Sequence, residues 1–261
     1  MFKEFFGFGG YQRAAEGYLS WQHLLFVTVL NAAMILLAAA LGRRARGRDM
    51  AMRGGPLACA ALLADGIEIF KVVMICLRSD DALHWLYELP LFMCSIHLVA
   101  MPLAAFARGR LREASLDFVC IFGLLGAVLG TYGAGNNYAV YPVLSLDNVA
   151  SGLTHCLSGF ASLYILFSGM ASMKKSNMPV TLGIITGFCA VAWAVNFPLD
   201  ANYMFLVRGD GTPYDILFSL VGGSPVWYPL SVLGLFYLCI VVYYPVYRHI
   251  QNRKAKPSAH A

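Results

Sequence analysis

Ser20-Trp-Gln-His-Leu-Leu-Phe-Val-Thr-Val-Leu-Asn-Ala-Ala-Met-Ile-Leu-Leu-Ala-Ala-Ala-Leu41 contains no charged side chain and is followed at once by Arg43, Arg44, Arg46 and Arg48. A helix rises about 1.5 Å per residue and satisfies its own backbone, so about 20 apolar residues cross a hydrocarbon core of about 30 Å. The stretch therefore reads as a membrane span with a basic flank. Outward from it, the same apolar character recurs at 55–77, 89–107, 115–134, 149–172, 179–198 and 225–247, which with 20–41 predicts seven spans in one integral membrane domain covering 1–261. The composition agrees: of 261 residues, 59% are hydrophobic and 13% charged, with a mean hydropathy of +0.64. That excludes an ordinary soluble domain and predicts an all-α polytopic bundle.

Basic residues set the orientation. Arg43 to Arg53, Arg108 to Arg112, Lys174 with Lys175, and Arg248 to Lys256 hold 14 of the 19 Lys and Arg residues and fall on one face. Lys3, Arg13, Arg78 and Arg208 fall on the other, and Lys71 lies inside a span. The positive-inside rule then predicts an outer N-terminus and a cytoplasmic C-terminus. The net charge of +5 is this topology signal and does not suggest nucleic acid. Met1-Phe-Lys-Glu-Phe-Phe-Gly7 lacks the basic-then-apolar plan of a cleaved signal peptide.

Seven cysteines show no CxxC pair or metal-ligand spacing, and neither a metal nor a nucleotide cofactor is implied. Cys59, Cys120, Cys189 and Cys239 read as small buried hydrophobes, and a Cys76–Cys94 disulfide is open on position alone. No repeat is evident. The outer loops 135–148 and 199–224 are rich in Gly, Pro, Asn and Asp, so function is expected at that face.

Polar groups inside spans are costly and face the bundle interior. Asp65, Glu68 and Lys71 follow at steps of three on one helical face, either as an internal charge cluster or as the lining of an ion path. His23 beside Trp21 reads as an interfacial anchor. Thr131 closes span four at the outer side, and Asn196 precedes Pro198 at the outer end of span six.

Cys94 lies about 7 Å below the outer face, and His155, two spans later, about 10 Å below it. A thiol needs a base within hydrogen-bond reach to become a nucleophile, and imidazole can take and return the proton. His97 competes for that role from the same helix, and spacing alone leaves Cys94 as either a packed cysteine or a nucleophile.

The string Trp85-Leu-Tyr-Glu88-Leu-Pro90-Leu-Phe-Met-Cys94-Ser95 resembles the Leu-Pro-Leu-His-Leu-Cys segment of the YwaF-like bacterial membrane proteins, a family related to eukaryotic transmembrane protein 164. Asn202-Tyr203-Met204-Phe205-Leu206 is similar to that family's Asn-Tyr-Met-Phe-Leu motif, and Asp215-Ile-Leu with Pro225-Val-Trp227-Tyr228 to its closing signature. Phe92 stands where the family's usual histidine would be, and Thr131-Tyr-Gly-Ala-Gly-Asn136-Asn137 replaces its Thr-Pro segment. The resemblance implies acyl transfer between a phospholipid and a lysophospholipid in a bacterial inner membrane, with Cys94 as nucleophile and His155 as histidine partner.

The expected chemistry is attack of a Cys94 thiolate on a lipid ester, with His155 as base and transfer to a lysolipid hydroxyl or to water. Asn196, Asn202 and Tyr203 are candidate oxyanion or headgroup donors, and Thr131, Glu88 and His97 complete the candidate substrate contacts. The rival readings are an ion- or proton-coupled transporter working through Asp65, Glu68 and Lys71, and a lipid-binding protein without catalysis. Span seven has no lysine for a retinal Schiff base, and no Gly-x-Ser-x-Gly-like turn near a histidine suggests a serine protease.

Overall fold

A computed structural model of the protein describes residues 2–255, which form ten α-helices and, among the described residues, no strand. In chain order they are α1 (Phe2–Phe6), α2 (Trp21–Ala45), α3 (Met50–Arg78), α4 (His97–Phe106), α5 (Gly109–Tyr132), α6 (Gly135–Val140), α7 (Leu146–Ser168), α8 (Met178–Leu199), α9 (Tyr214–Leu220) and α10 (Trp227–Ala255). Local chemistry sets the ends. Ser20 and Ser145 cap α2 and α7 by accepting the amides of His23 and Asn148, and Gly169 stops α7 with a left-handed φ of 71°.

Five helical stretches are long and apolar enough to cross a membrane: Trp21–Ala45, Gly109–Val140, Leu146–Ser168, Lys175–Leu199 and Trp227–Gln251. The other two predicted spans differ in kind. The 55–77 segment lies in the 29-residue α3, long enough but carrying Asp65, Glu68 and Lys71. The 89–107 segment is helical only from Cys94, where a 3₁₀ turn over Cys94–Ile96 leads into α4. Pro90 explains the late start, since proline pushes the preceding residue out of the helical region. Of the basic residues behind the predicted orientation, Lys256 and the side chains of Arg253 and Lys254 lie outside the described residues, as does Met1.

α7 is the axis of the bundle, packed by α2, α3 and α5, while α4 fills the gap between α3 and α5. Small residues permit the close approach. A Cβ on Gly123 would stand 2.4 Å from the Ser158 carbonyl oxygen, and one on Gly159 would stand 2.3 Å from the Met34 sulfur. Across the α5–α7 contact, Ser162 Oγ donates to the Cys120 carbonyl at 2.8 Å. α8 and α10 pack on one another and join the bundle through α5. At that end the buried Asp117 accepts the amides of Ser172 and Met173, the Asn177 side chain and the Tyr244 hydroxyl, binding α5 to the α7–α8 turn and to α10.

A second polar clamp closes the opposite end. Arg78, the last residue of α3, meets Asp147 in the first turn of α7 through two hydrogen bonds of 2.8 and 2.9 Å. Tyr11 completes it: its hydroxyl donates to Asp147 and accepts from Arg78, fastening the N-terminal segment to both helices. Burial, reinforced by the Asp147 carboxylate, pushes the Tyr11 phenol up to about 12.

Two sequence expectations are corrected here, and one question left open is closed. His23 is fully buried and serves as a cross-link: Nδ1 accepts the Leu19 amide, Nε2 donates to the Thr131 carbonyl at 3.1 Å, and the ring packs on Tyr138. Its depth was readable, but its azimuth, which turns the ring inward, was not. Cys59 is exposed and Cys239 half-buried, whereas Cys120 and Cys189 are buried as expected. Cys76 and Cys94 are both free thiols, so no disulfide joins them.

Candidate functional site

The second half of α3, the start of α4, the end of α5 and the first half of α7 enclose a cavity of about 650 Å³. Cys94, His97 and His155 all line it, together with Glu68, Lys71 and Glu88. The thiol and both imidazoles singled out by position therefore face one space, although they come from separate elements.

Local structure explains each placement. The Leu89–Met93 segment is not helical, so the chain turns at Pro90 and delivers a half-buried Cys94 as the first residue of the 3₁₀ turn. The turn leaves the Cys94 carbonyl accessible to His97, whose Nδ1 lies 3.1 Å from it. A carbonyl only accepts, so Nδ1 carries the proton and Nε2 keeps its lone pair. That Nε2 is buried without a hydrogen-bond partner, in a residue only 3% exposed.

His155 comes from α7 and sets the Cδ2–Nε2 edge of its ring against α5 at Gly130. A Cβ on Gly130 would stand 1.4 Å from His155 Cδ2 and 1.8 Å from Nε2, so only glycine leaves room for the ring. One turn earlier, the same construction on Gly126 ends 4.0 Å from His97 Cε1. Gly123, Gly126, Gly130 and Gly133 recur at helical spacing, and this bare face of α5 is the wall along which the two imidazoles lie.

The charge cluster divides. Lys71 Nζ and Glu68 Oε1 pair at 2.7 Å with side chains 18% and 15% exposed, and both line the cavity. Asp65 does not join them: it is absent from the lining, and its Oδ1 is buried without a partner. Glu88 sits in the loop before Cys94 with His84 at 3.7 Å, and burial raises its carboxyl above the usual range.

Asn196, Asn202, Tyr203 and Thr131 do not reach the cavity lining. Asn196 is spent on the backbone of Tyr203, accepting its amide at 2.7 Å and donating to its carbonyl at 3.1 Å. Asn202 braces its own loop through Val207, Arg208 and Asp210. Tyr203 donates to the Leu86 carbonyl at 3.1 Å, and its ring meets Phe92 at 5.2 Å. Thr131 donates to the Ala127 carbonyl and accepts from Asn31. The Asn202–Leu206 string thus buttresses the segment that presents Cys94, with Phe92 and Phe205 themselves on the cavity wall.

Sequence reasoning missed the hydroxyls of Ser151, Thr154 and Ser158, which line the cavity beside His155. Their spacing of three, one and three residues places all four on one face of α7, and that pattern was available to find them. Chemically, a thiol and two imidazoles, that of His97 with a free lone pair, in a cavity lined by both polar and apolar side chains suit proton abstraction followed by nucleophilic attack.

No curated protein and no solved structure matches the chain. The model of the TMEM164 family matches residues 18–244, all but 17 residues at each end, and with its apolar helices the chain is an integral membrane protein that belongs to the TMEM164 family.

Proposed function

We propose that the protein is a lipid acyltransferase, or a lipid-ester hydrolase when water is the acceptor, that works through Cys94 and His155. The observation that carries this is the opening of both side chains, from different helices, on one cavity. His155 takes the Cys94 proton, and the thiolate attacks the ester carbonyl of a phospholipid. The carbon–oxygen bond breaks, His155 returns the proton to the departing lysolipid oxygen, and an acyl-cysteine remains. A second lysolipid hydroxyl, or water, gives its proton to His155 and attacks the thioester, so the acyl group leaves sulfur and the thiol is restored. His97, with its unpartnered Nε2 in the same wall, is the alternative base.

In this reading the chain crosses the bacterial inner membrane seven times, as one of the YwaF-like proteins, with the N-terminus outside. α3, about 44 Å long at 1.5 Å per residue, and the 89–106 segment supply the two spans beyond the five apolar ones. Pairing of Glu68 with Lys71 lowers the cost of charges at that depth.

The test is incubation of purified protein with labelled phospholipid and unlabelled lysophospholipid, comparing wild type with Cys94→Ala and His155→Ala. Each substitution is expected to reduce transfer at least about 100-fold, as removal of a nucleophile or general base does. Undiminished transfer in both variants, or none by wild type with any lipid pair, sinks the enzyme reading. The Glu68–Lys71 pair in the wall favours an ion-coupled transporter as second reading; there, Lys71→Met abolishes flux while Cys94→Ala leaves it intact.

A further inference from the structure

The far end of the bundle holds a second cavity, of about 970 Å³, between the α2–α3 turn, the end of α7 and the end of α10. Arg43, Arg46, Arg53 and Arg248 line it, and no Asp or Glu does. Arg53 is engaged with the carbonyls of Arg48 and Ser168, but Arg43, Arg46 and Arg248 form no salt bridge among the described residues. The Arg43 guanidinium lies 5.8 Å above the Phe167 ring, which holds it against the wall. Val246 and Ile250, about half exposed, continue the same wall along α10.

Three guanidiniums without a carboxylate partner line one cleft with a fourth held by carbonyls, which makes the cleft cationic, and planar guanidinium is suited to phosphate. The apolar wall beside them runs along helices long enough to cross a membrane. A soluble anion has no use for that wall, whereas a phospholipid can seat its phosphate among the arginines and lay its acyl chains on Leu166, Phe167 and Val246, which lead back towards the membrane interior. We propose that this cleft binds the headgroup of an anionic phospholipid. The site is separate from the Cys94 cavity: His155 and Ser168 mark the two on α7, about 20 Å apart along the helix. The proposal rests on the helices crossing the membrane and stands whether or not acyl transfer occurs.

The test uses the full-length protein reconstituted in nanodiscs of phosphatidylcholine with and without phosphatidylglycerol. Lipids retained on release are counted by native mass spectrometry, and thermal unfolding is followed in parallel. Wild type is expected to retain phosphatidylglycerol in preference to phosphatidylcholine and to unfold at higher temperature when it is present. Arg43→Gln, Arg46→Gln and Arg248→Gln should each reduce that preference about fivefold, as loss of one arginine at an anionic surface does. Equal retention of the two lipids by wild type overturns the proposal without reference to any variant. So does a preference that the triple variant keeps, or competition by soluble glycerol phosphate as effective as that by the lipid, which would make the cleft a site for free phosphate.

Discussion

Replacement of Gly130 by alanine tests the placement of His155 most directly. Carbon atoms in contact sit about 3.5 Å apart, and the new Cβ would stand 1.4 Å from Cδ2 of the ring, so about 2 Å of movement is required. Separating the helices to supply it would open the close α5–α7 packing at Gly123, so the smaller adjustment is in the side chain. The imidazole must swing. Its off-rotamer cost of about 1 kcal/mol is offset by a helix-propensity gain of up to about 1 kcal/mol, so the unfolding midpoint should change little. Activity should not survive, because a misplacement of about 1 Å in a reacting group costs about 100-fold. The assay is transfer of a labelled acyl chain between phospholipid and lysophospholipid, with thermal unfolding on the same samples. Gly126→Ala is the contrast: its Cβ would meet His97 Cε1 at 4.0 Å, an ordinary contact, and its activity should stay within about threefold of wild type. A folded Gly130→Ala protein that transfers acyl groups at more than about a third of the wild-type rate would refute the role given to His155.

Asp147→Asn leaves the half-buried Arg78 without its counter-charge and should cost about 2–4 kcal/mol of stability. Tyr11→Phe should cost about 1 kcal/mol, and strictly additive effects in a double-mutant cycle would show that the three side chains do not act as a unit. Asn196→Ala removes both hydrogen bonds to the Tyr203 backbone and should destabilise by about 2–3 kcal/mol; a large loss of turnover at unchanged stability would instead make it a substrate donor. For Glu88, whose carboxyl value is raised in the fold, the ionised form opposes folding at pH above that value, and the penalty disappears below the unfolded value of about 4.3. Glu88→Gln should therefore raise the unfolding temperature at about pH 8 and lose that advantage by about pH 4, as thermal scans across pH would show.

How far the sequence could be read depended on whether a property follows from depth or from direction. Apolar length announced α2, α5, α7, α8 and α10, because a membrane helix needs only enough apolar residues in a row. The span expected from residue 89 is helical only from Cys94, so the five helical residues counted above Cys94 are loop, and what the structure does show is that Cys94 and His155 line one cavity. Direction was harder to obtain. Steps of three residues fall about 60° short of a full turn each, so Asp65 and Lys71 differ by about 120° and only Glu68 and Lys71 face the cavity. For Asn196 and Asn202, the residue type permits a ligand contact and a backbone brace equally, and only the folded loop shows that their donors are occupied. The glycine face of α5 was on the page as spacing, but the rings that fill it come from α4 and α7.

The clamp of Tyr11, Arg78 and Asp147 carries the packed contacts of the bundle beyond the stretch matched to the family. The stretch shared with the family begins at residue 18, yet the phenol that completes the clamp sits at residue 11, with its ring 5.8 Å from the Arg78 guanidinium. Cutting the chain where the shared stretch begins would remove that ring and leave a guanidinium and a carboxylate half-solvated at the junction of α3 and α7. A version shortened to residue 18 would therefore keep the whole matched stretch and still lose one of the three side chains that close this end of the bundle.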